Sequence, residues 1–282
     1  MHSLVSSARR KESAVVVGLD PDPRYLPPQV LKTASTEAGA VREFCLGILE
    51  AVEPEAAAVK LQSAYFERLG PEGTAVYADL ISAAHDLRLP TIVDVKRGDI
   101  GPVAAAYAEA HLRVYGATSV TVNPYMGVDA VAPFLDEARR LGDRGVFVLV
   151  ATSNPSAPDL QNSTAPPLYE AAARLVSSLG EVGASGYTDI GAVVGATRPE
   201  VGLRVRELLP SALFLAPGYG AQKGDASGVG ALLDVGGAGV LVNSSRGILR
   251  AFEVPGGGDY RSAARDAARR MREDLKSVGL RW

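Results

Sequence analysis

The stretch Pro90-Thr91-Ile92-Val93-Asp94-Val95-Lys96-Arg97-Gly98-Asp99-Ile100 joins an apolar, strand-like run to a charged turn. Because side chains alternate along a strand, Asp94 and Lys96 are expected to point to the same side, about 7 Å apart along the chain, where two charges perturb each other. Asp99 lies on the turn that follows. Two carboxylates around one lysine, where an apolar run stops, indicate a charged reaction site. The alternative is a solvated strand end with a surface salt bridge.

The same unit, a short apolar run followed by a helical stretch, recurs eight times along the chain. The apolar runs are continuous and rich in Val, Ile, Leu and Ala, which is typical of parallel strands buried on both faces. The predicted strands are Ala14–Leu19, Ala56–Leu61, Thr91–Val95, Ser119–Asn123, Val146–Ala151, Ile190–Gly195, Leu213–Ala216 and Val240–Asn243. The predicted helices are Glu37–Val52, Gly73–Leu87, Pro102–Tyr115, Asp129–Leu141, Pro167–Leu179, Pro199–Leu208, Ala226–Val235 and Tyr260–Lys276.

This alternation of strands and helices implies a parallel sheet. Eight units in 282 residues fit one closed (β/α)8 TIM barrel better than two doubly wound domains. No Pro/Gly/Ser-rich linker divides the chain, and Gly256-Gly257-Gly258 falls between the last strand and the last helix, as a loop would. We therefore predict an α/β protein in which residues 1–282 form a single TIM-barrel domain. The long, turn-rich stretch Ser153–Pro166 is predicted to be a mobile lid.

Composition and charge exclude several classes of function. The 29 Lys and Arg against 32 Asp and Glu give a net charge of −3, so neither nucleic acid nor an acidic membrane is an expected partner. The single cysteine, Cys45, cannot form an internal disulfide or a cysteine-rich metal site, and we expect it in the core. His85 and His111 are expected on a helix surface or in packing, and His2 at a frayed terminus. With no apolar run of transmembrane length and no signal-peptide pattern at the start, we expect a cytoplasmic protein.

Distinctive polar residues follow the predicted strands, where TIM barrels carry their reactive groups. Strand one leads to Asp20, strand two carries Lys60 near its end, and strand five leads to Ser153. After strands seven and eight, glycine-rich segments resemble a phosphate site, because glycines let backbone N–H groups approach a phosphate closely. In these segments Gln222 offers an amide donor and Arg246 a planar guanidinium fork. The alternative is that the glycines only serve tight turns.

Five segments of the chain together resemble the orotidine 5′-phosphate decarboxylase family, and most closely its branch common in mycobacteria and related bacteria. These segments are Asp94–Gly101, Val122–Gly127, Thr152–Pro155, Pro217–Gln222 and Asn243–Arg246. The resemblance runs through nearly the whole chain. It implies a barrel homodimer in which each active site is completed across the interface, with a nucleotide substrate. No metal-binding or cofactor motif is visible in the sequence, so no cofactor is expected.

The resemblance also implies roles for particular residues. The alternating charge network of the family is matched by Lys60, Asp94, Lys96 and Asp99. The positions that contact substrate are matched by Asp20 and Lys60 (ribose), Ile100 (from the other subunit, with Asp99), Ser153 (pyrimidine), Pro217 (pocket wall), Gln222 and Arg246 (phosphate). Two positions depart from the family pattern. Val103 stands where a threonine usually contacts the ribose across the dimer, and Lys223 stands where a glycine is common.

The reaction that the resemblance implies replaces the C6 carboxylate of orotidine 5′-monophosphate with a proton, giving UMP in the last step of de novo pyrimidine synthesis. Lys96 would stabilise the carbanion at C6 and deliver the proton, while Asp94 and Asp99 keep it charged. Two alternatives stay open. One is a magnesium-dependent 3-keto-hexulose-phosphate lyase, whose relatives carry a glutamate metal ligand where this chain has Lys60. The other is a non-catalytic protein that binds nucleotide phosphates.

Overall fold

Eight parallel strands form a closed barrel in the computed structural model of this chain, which describes residues 1–219, 226–254 and 258–282. The strands are β1 (Val15–Leu19), β2 (Ala58–Gln62), β3 (Thr91–Arg97), β4 (Ser119–Val122), β5 (Gly145–Ala151), β6 (Ile190–Val194), β7 (Phe214–Ala216) and β8 (Val240–Ser244). Each strand pairs with the next in chain order, and Val16 of β1 aligns with both Ala58 of β2 and Asn243 of β8, which closes the barrel. The predicted TIM-barrel fold is confirmed.

Helices pack around this barrel, most of them against its apolar outer face. They are α1 (His2–Lys11), α2 (Pro28–Thr33), α3 (Glu37–Val52), α4 (Ser63–Glu67), α5 (Gly70–Asp86), α6 (Gly101–Ala108), α7 (Val128–Leu141), α8 (Ala157–Gln161), α9 (Leu168–Leu179), α10 (Pro199–Leu208), α11 (Ala226–Gly230), α12 (Arg246–Leu249) and α13 (Tyr260–Ser277). A π-helix, Glu109–Val114, continues α6. Within the described ranges, no helix has the length and apolar character needed to cross a membrane.

The N-terminal helix α1 is an element that the sequence did not predict. Met1, Leu4 and Val5 are buried against residues that point into the barrel, and the amino group of Met1 donates a hydrogen bond of 2.8 Å to the carbonyl of Arg144. The helix therefore plugs the end of the barrel at which the strands begin. The expectation of a frayed terminus at His2 was wrong, because this packing holds the first turn in place.

The predicted helix Ala226–Val235 was also wrong in its second half, since α11 ends at Gly230. The carboxylate of Asp234 accepts hydrogen bonds from the backbone N–H groups of Gly236 and Ala238, and Gly237 has a φ of 77°. A side chain that bonds to nearby backbone donors stabilises a turn in place of a helix. This turn leads directly into β8.

The structure also shows where the single cysteine, a helical histidine and the predicted loops lie. Cys45 is fully buried, as predicted, and His111 is a buried packing residue within hydrogen-bond distance of the Tyr77 hydroxyl. The predicted lid Ser153–Pro166 contains α8, which the sequence did not indicate. The predicted phosphate-site residue Gln222, its neighbour Lys223, and the glycines Gly256 and Gly257 of the predicted loop lie outside the described residues.

Candidate active site

A cavity of about 410 Å³ opens at the end of the barrel where the strands finish. Its polar lining comes from the ends of several strands and comprises Asp20, Lys60, Gln62, Asp94, Lys96, Thr121, Thr152, Ser153, Asn154, Asn243, Ser245 and Arg246. Its apolar lining includes Leu149, Val193, Leu215 and Pro217. A cavity of this size, with convergent polar groups on an apolar wall, suits a small-molecule ligand.

A chain of alternating charges crosses the floor of this cavity. The ammonium of Lys60 lies 3.6 Å from a carboxylate oxygen of Asp20 and 3.1 Å from Oδ2 of Asp94. The other oxygen of Asp94, Oδ1, accepts a hydrogen bond of 2.6 Å from Nζ of Lys96. The structure therefore brings together four of the predicted site residues, and Asp94 is the carboxylate that the two lysines share.

The electrostatics of this chain keep its central groups ionised. Burial raises the pKa of the Asp94 carboxyl, but the charges of Lys60 and Lys96 outweigh that effect and hold the pKa well below its usual range. Burial likewise disfavours the charged form of Lys60, yet Asp20 and Asp94 overcome this cost and raise its pKa. The cavity thus presents fixed charges, in a partly water-excluded setting where electrostatic interactions are strong.

Two neutral residues that sequence reasoning missed complete the set of hydrogen-bond donors around the Asp94 carboxylate. Thr121 donates a hydrogen bond of 2.8 Å to Oδ1, and the amide of Gln62 donates one of 3.0 Å to Oδ2. Together with the two lysines they give each carboxylate oxygen two donors, which fixes the orientation of the carboxylate. Strand alternation puts Gln62 on the same face of β2 as Lys60, but it does not by itself indicate a contact with Asp94.

The backbone at Lys96 departs from a regular strand. The pairing of β3 with β4 shifts register between Val93 and Arg97, and Lys96 itself has a φ of 46°. Its N–H donates a hydrogen bond of 3.0 Å to Oγ1 of Thr121. The predicted contact of Asp94 with Lys96 is confirmed, but simple alternation was the wrong reason for it. A left-handed turn costs a non-glycine residue about 1–2 kcal/mol, and here it directs the ammonium toward Asp94.

The structure does not bring Asp99 and Ile100 into the cavity of their own chain. The Asp99 carboxylate accepts a hydrogen bond of 2.8 Å from the N–H of Ile100, and neither residue is among those that line the cavity. The side chains of Ile100 and Val103 are 56% and 41% exposed. Tyr125, which lies three residues after the end of β4, is 79% exposed. This rim of the barrel therefore presents apolar side chains to the surroundings.

Ser153 is held in the cavity wall by its neighbours. A Cβ at Gly195 would lie 2.8 Å from Cβ of Ser153, so any side chain at position 195 would displace it. Thr152, just before Ser153, donates from its N–H to Oε1 of Gln161 and accepts a hydrogen bond of 2.7 Å on Oγ1 from Nε2 of the same amide. Arg198 donates to the carbonyl of Thr152 and to Gln161. These contacts tie α8 to the end of β5.

The side chains around the cavity do not suit a metal ion. Asp20 and Asp94 are carboxylates, but the ammonium of Lys60 lies between them and occupies the place that a cation would take. Across residues 1–219, 226–254 and 258–282, no three His, Cys, Asp or Glu side chains are grouped in a way that could hold a metal.

Comparison with known proteins agrees with this geometry. The model of the orotidine 5′-phosphate decarboxylase / HUMPS family matches residues 13–255. The chain belongs to this family. The chain is 39% identical to a protein of Rhodopirellula baltica named orotidine 5′-phosphate decarboxylase, over 95% of each chain. A Clostridium kluyveri protein of the same name is 38% identical, over 95% of this chain and 94% of that protein.

Solved structures support the same assignment. The structure of Leishmania donovani OMP decarboxylase superposes with a TM-score of 0.78 and 35% sequence identity, covering 99% of this chain and 98% of that one. The family resemblance found in the sequence segments is therefore confirmed along nearly the full length of the chain. These relatives match the barrel from end to end. Since TIM barrels carry their active sites at the end where the strands finish, we take the cavity there as the candidate active site.

Proposed function

We propose that this protein is an orotidine 5′-phosphate decarboxylase, a carboxy-lyase that forms UMP in pyrimidine biosynthesis. The observation that carries the proposal is the buried carboxylate of Asp94 with the ammonium groups of Lys60 and Lys96 on its two oxygens, at 3.1 and 2.6 Å. Its membership of the family and the names of its relatives support the substrate. The proposed catalytic residues are Lys60, Asp94, Lys96 and Asp99.

In the proposed reaction the bond between C6 and the carboxylate carbon breaks, CO₂ leaves, and the electron pair stays on C6. The ammonium of Lys96, which reaches into the cavity from β3, stabilises that carbanion as it forms. A proton then moves from Nζ to C6, and the neutral amine regains a proton from water. Asp94 holds the ammonium of Lys96 in position before each turnover, because the two groups are in direct contact. No cofactor takes part in these steps.

The remaining proposed contacts hold the nucleotide. Oδ1 of Asp20 is buried and accepts no hydrogen bond, so a ribose hydroxyl would satisfy it. We place the pyrimidine against Ser153 and Pro217, and the phosphate on Arg246 and Gln222. Binding of the phosphate, remote from C6, supplies energy for ordering the site and excluding water.

We further propose that the enzyme is a homodimer. Asp99 and Ile100, which lie outside their own cavity, would enter the cavity of the partner subunit, and the exposed apolar rim that includes Val103 would be covered there. At position 103 a valine side chain has no hydroxyl with which to reach the ribose, so this contact is absent from the proposed site.

A direct assay tests the proposed activity. We expect purified protein to consume orotidine 5′-monophosphate, seen as loss of its ultraviolet absorbance with formation of UMP, at the same rate with and without EDTA. The reason for EDTA insensitivity is that Lys60 occupies the space between the two cavity carboxylates. Activity that EDTA abolishes and Mg²⁺ restores would favour the 3-keto-hexulose-phosphate lyase instead. Tight nucleotide binding without turnover would favour the binding protein.

Replacement of Arg246 with alanine is expected to weaken phosphate binding. Arg246 begins α12 beside the cavity, and loss of a charge-assisted contact should cost about 2–4 kcal/mol in kcat/KM for the nucleotide. Orotidine, which lacks the phosphate, should be turned over equally by both proteins. The matched control is Arg42→Ala, which removes a surface guanidinium paired with Asp79. An equal loss on both substrates contradicts this assignment of Arg246.

A further inference from the structure

A second cavity, of about 590 Å³, lies at the opposite end of the barrel, where the strands begin. It is bordered by α1, by the segment between α5 and β3, and by the residues before β5. We call it the basal cavity. Three arginines from separate segments, Arg10, Arg88 and Arg144, line it, and so do His2 and His85. Asp86 is the one carboxylate among the lining residues.

Most surface arginines of this chain contact a carboxylate, and among the described residues the three arginines of the basal cavity do not. Arg42 and Arg68, for example, contact the carboxylates of Asp79 and Glu37. In the part of the chain that the structure describes, Arg10 donates only to the hydroxyl of Ser7, at 3.4 Å, and neither Arg88 nor Arg144 has a side-chain partner. Their charge is thus not neutralised by contact within the protein.

Arg144 carries the strongest indication of a missing partner. Its Nε is buried and makes no hydrogen bond, while its backbone carbonyl is fixed by the amino group of Met1. A buried N–H donor without an acceptor costs about 1–3 kcal/mol. An acceptor oxygen that reaches Nε would remove that cost.

Arg88 is an arginine at a position where glycine is more favourable. It follows α5 with a φ of 54°, and its N–H bonds to the carbonyl of His85 at 2.8 Å. This is the left-handed position that commonly ends a helix and that glycine occupies without strain. Arg88 lines the cavity at this position despite a cost to the backbone of about 1–2 kcal/mol.

From these contacts we propose that the basal cavity binds a phosphate-bearing small molecule, at a site separate from the cavity that holds Lys96. Guanidinium groups match phosphate oxygens in geometry and charge, and the lining of this cavity includes three arginines and one carboxylate. The cavity volume falls in the range of small-molecule sites. The site needs no decarboxylase activity, so it can be tested whatever the strand-end cavity does.

Titration calorimetry with inorganic pyrophosphate tests this site in the full chain. The titrations use the Arg246→Ala background, which suppresses phosphate binding at the other end of the barrel. We expect one pyrophosphate to bind, and expect Arg88→Gly and Arg144→Gln each to weaken it by about tenfold to a hundredfold. Arg88→Gly also relieves the left-handed backbone, so its melting temperature should not fall, which separates lost binding from lost folding.

The control for bulk charge is Arg42→Gln, which removes one positive charge at a residue that does not line the cavity and should leave pyrophosphate affinity unchanged. Three results would overturn the site: no binding in the Arg246→Ala background, equal affinity in the Arg88→Gly and Arg144→Gln proteins, or the same weakening in Arg42→Gln. The last would mean that pyrophosphate responds only to net charge.

Discussion

Replacement of Lys96 with alanine is expected to lower kcat by on the order of 10⁴-fold, because it removes both the proton donor and the charge beside C6. The fold should survive the change. The side chain of Lys96 is 44% exposed, and Asp94 keeps Lys60, Gln62 and Thr121 as donors. We therefore expect the free energy of unfolding to change by only about 1 kcal/mol. Single-turnover rates and denaturant unfolding measure the two effects.

The backbone of Lys96 offers a matched variant. Lys96→Gly should be as inactive as Lys96→Ala but more stable than it by about 1 kcal/mol, because glycine adopts a φ of 46° without strain. Such a gain in stability with loss of activity would mean that the strained backbone of residue 96 is retained because it positions the lysine ammonium. Lys32→Ala, on the exposed face of α2, is the control for loss of a lysine. Substantial residual activity in both Lys96 variants would contradict its role as the proton donor.

The strands were predictable from the sequence because burial on both faces leaves continuous apolar runs. All eight begin and end within two residues of the predicted bounds. The helix α1 was not predictable in this way. Isolated short helices are marginal in water, and α1 is held by Leu4, Val5 and Ala8, which pack on the barrel interior. The spacing of Met1, Leu4, Val5 and Ala8 is that of one apolar helix face, and this short pattern is the signal that sequence reasoning missed.

The charged residues of the site were recognisable in the sequence because several of them stand at the ends of apolar strands, where TIM barrels carry their reactive groups. Thr121 and Gln62 were not, since neutral polar residues at strand ends are common and only the structure places them on Asp94. The left-handed backbone of Lys96 was also hidden, because it depends on the register shift between β3 and β4. Asp99 was assigned to the partner subunit through the family resemblance alone, and its position outside its own cavity is compatible with that prediction.

Mixing two inactive variants is expected to restore activity if the site is shared between subunits. In a heterodimer of Lys96→Ala and Asp99→Ala chains, one site receives both lesions. The other combines an intact Lys96 with an intact Asp99 from the partner. Random reassortment makes about half of the dimers mixed, so about a quarter of wild-type sites should return. Activity is measured after subunit exchange has been verified with differently labelled chains.

The control uses Lys96→Ala with Asp94→Asn. These two residues touch within one chain, at 2.6 Å between Nζ and Oδ1, so each subunit of that heterodimer carries a lesion in its own site and no activity should return. Recovery with Asp99→Ala but not with Asp94→Asn would show that Asp99 acts across an interface. No recovery in either mixture, with exchange verified, would mean that Asp99 serves its own subunit. Asp99 does not line the cavity of its own chain. In that case the turn after β3 has to move before the carboxylate of Asp99 can reach Lys96.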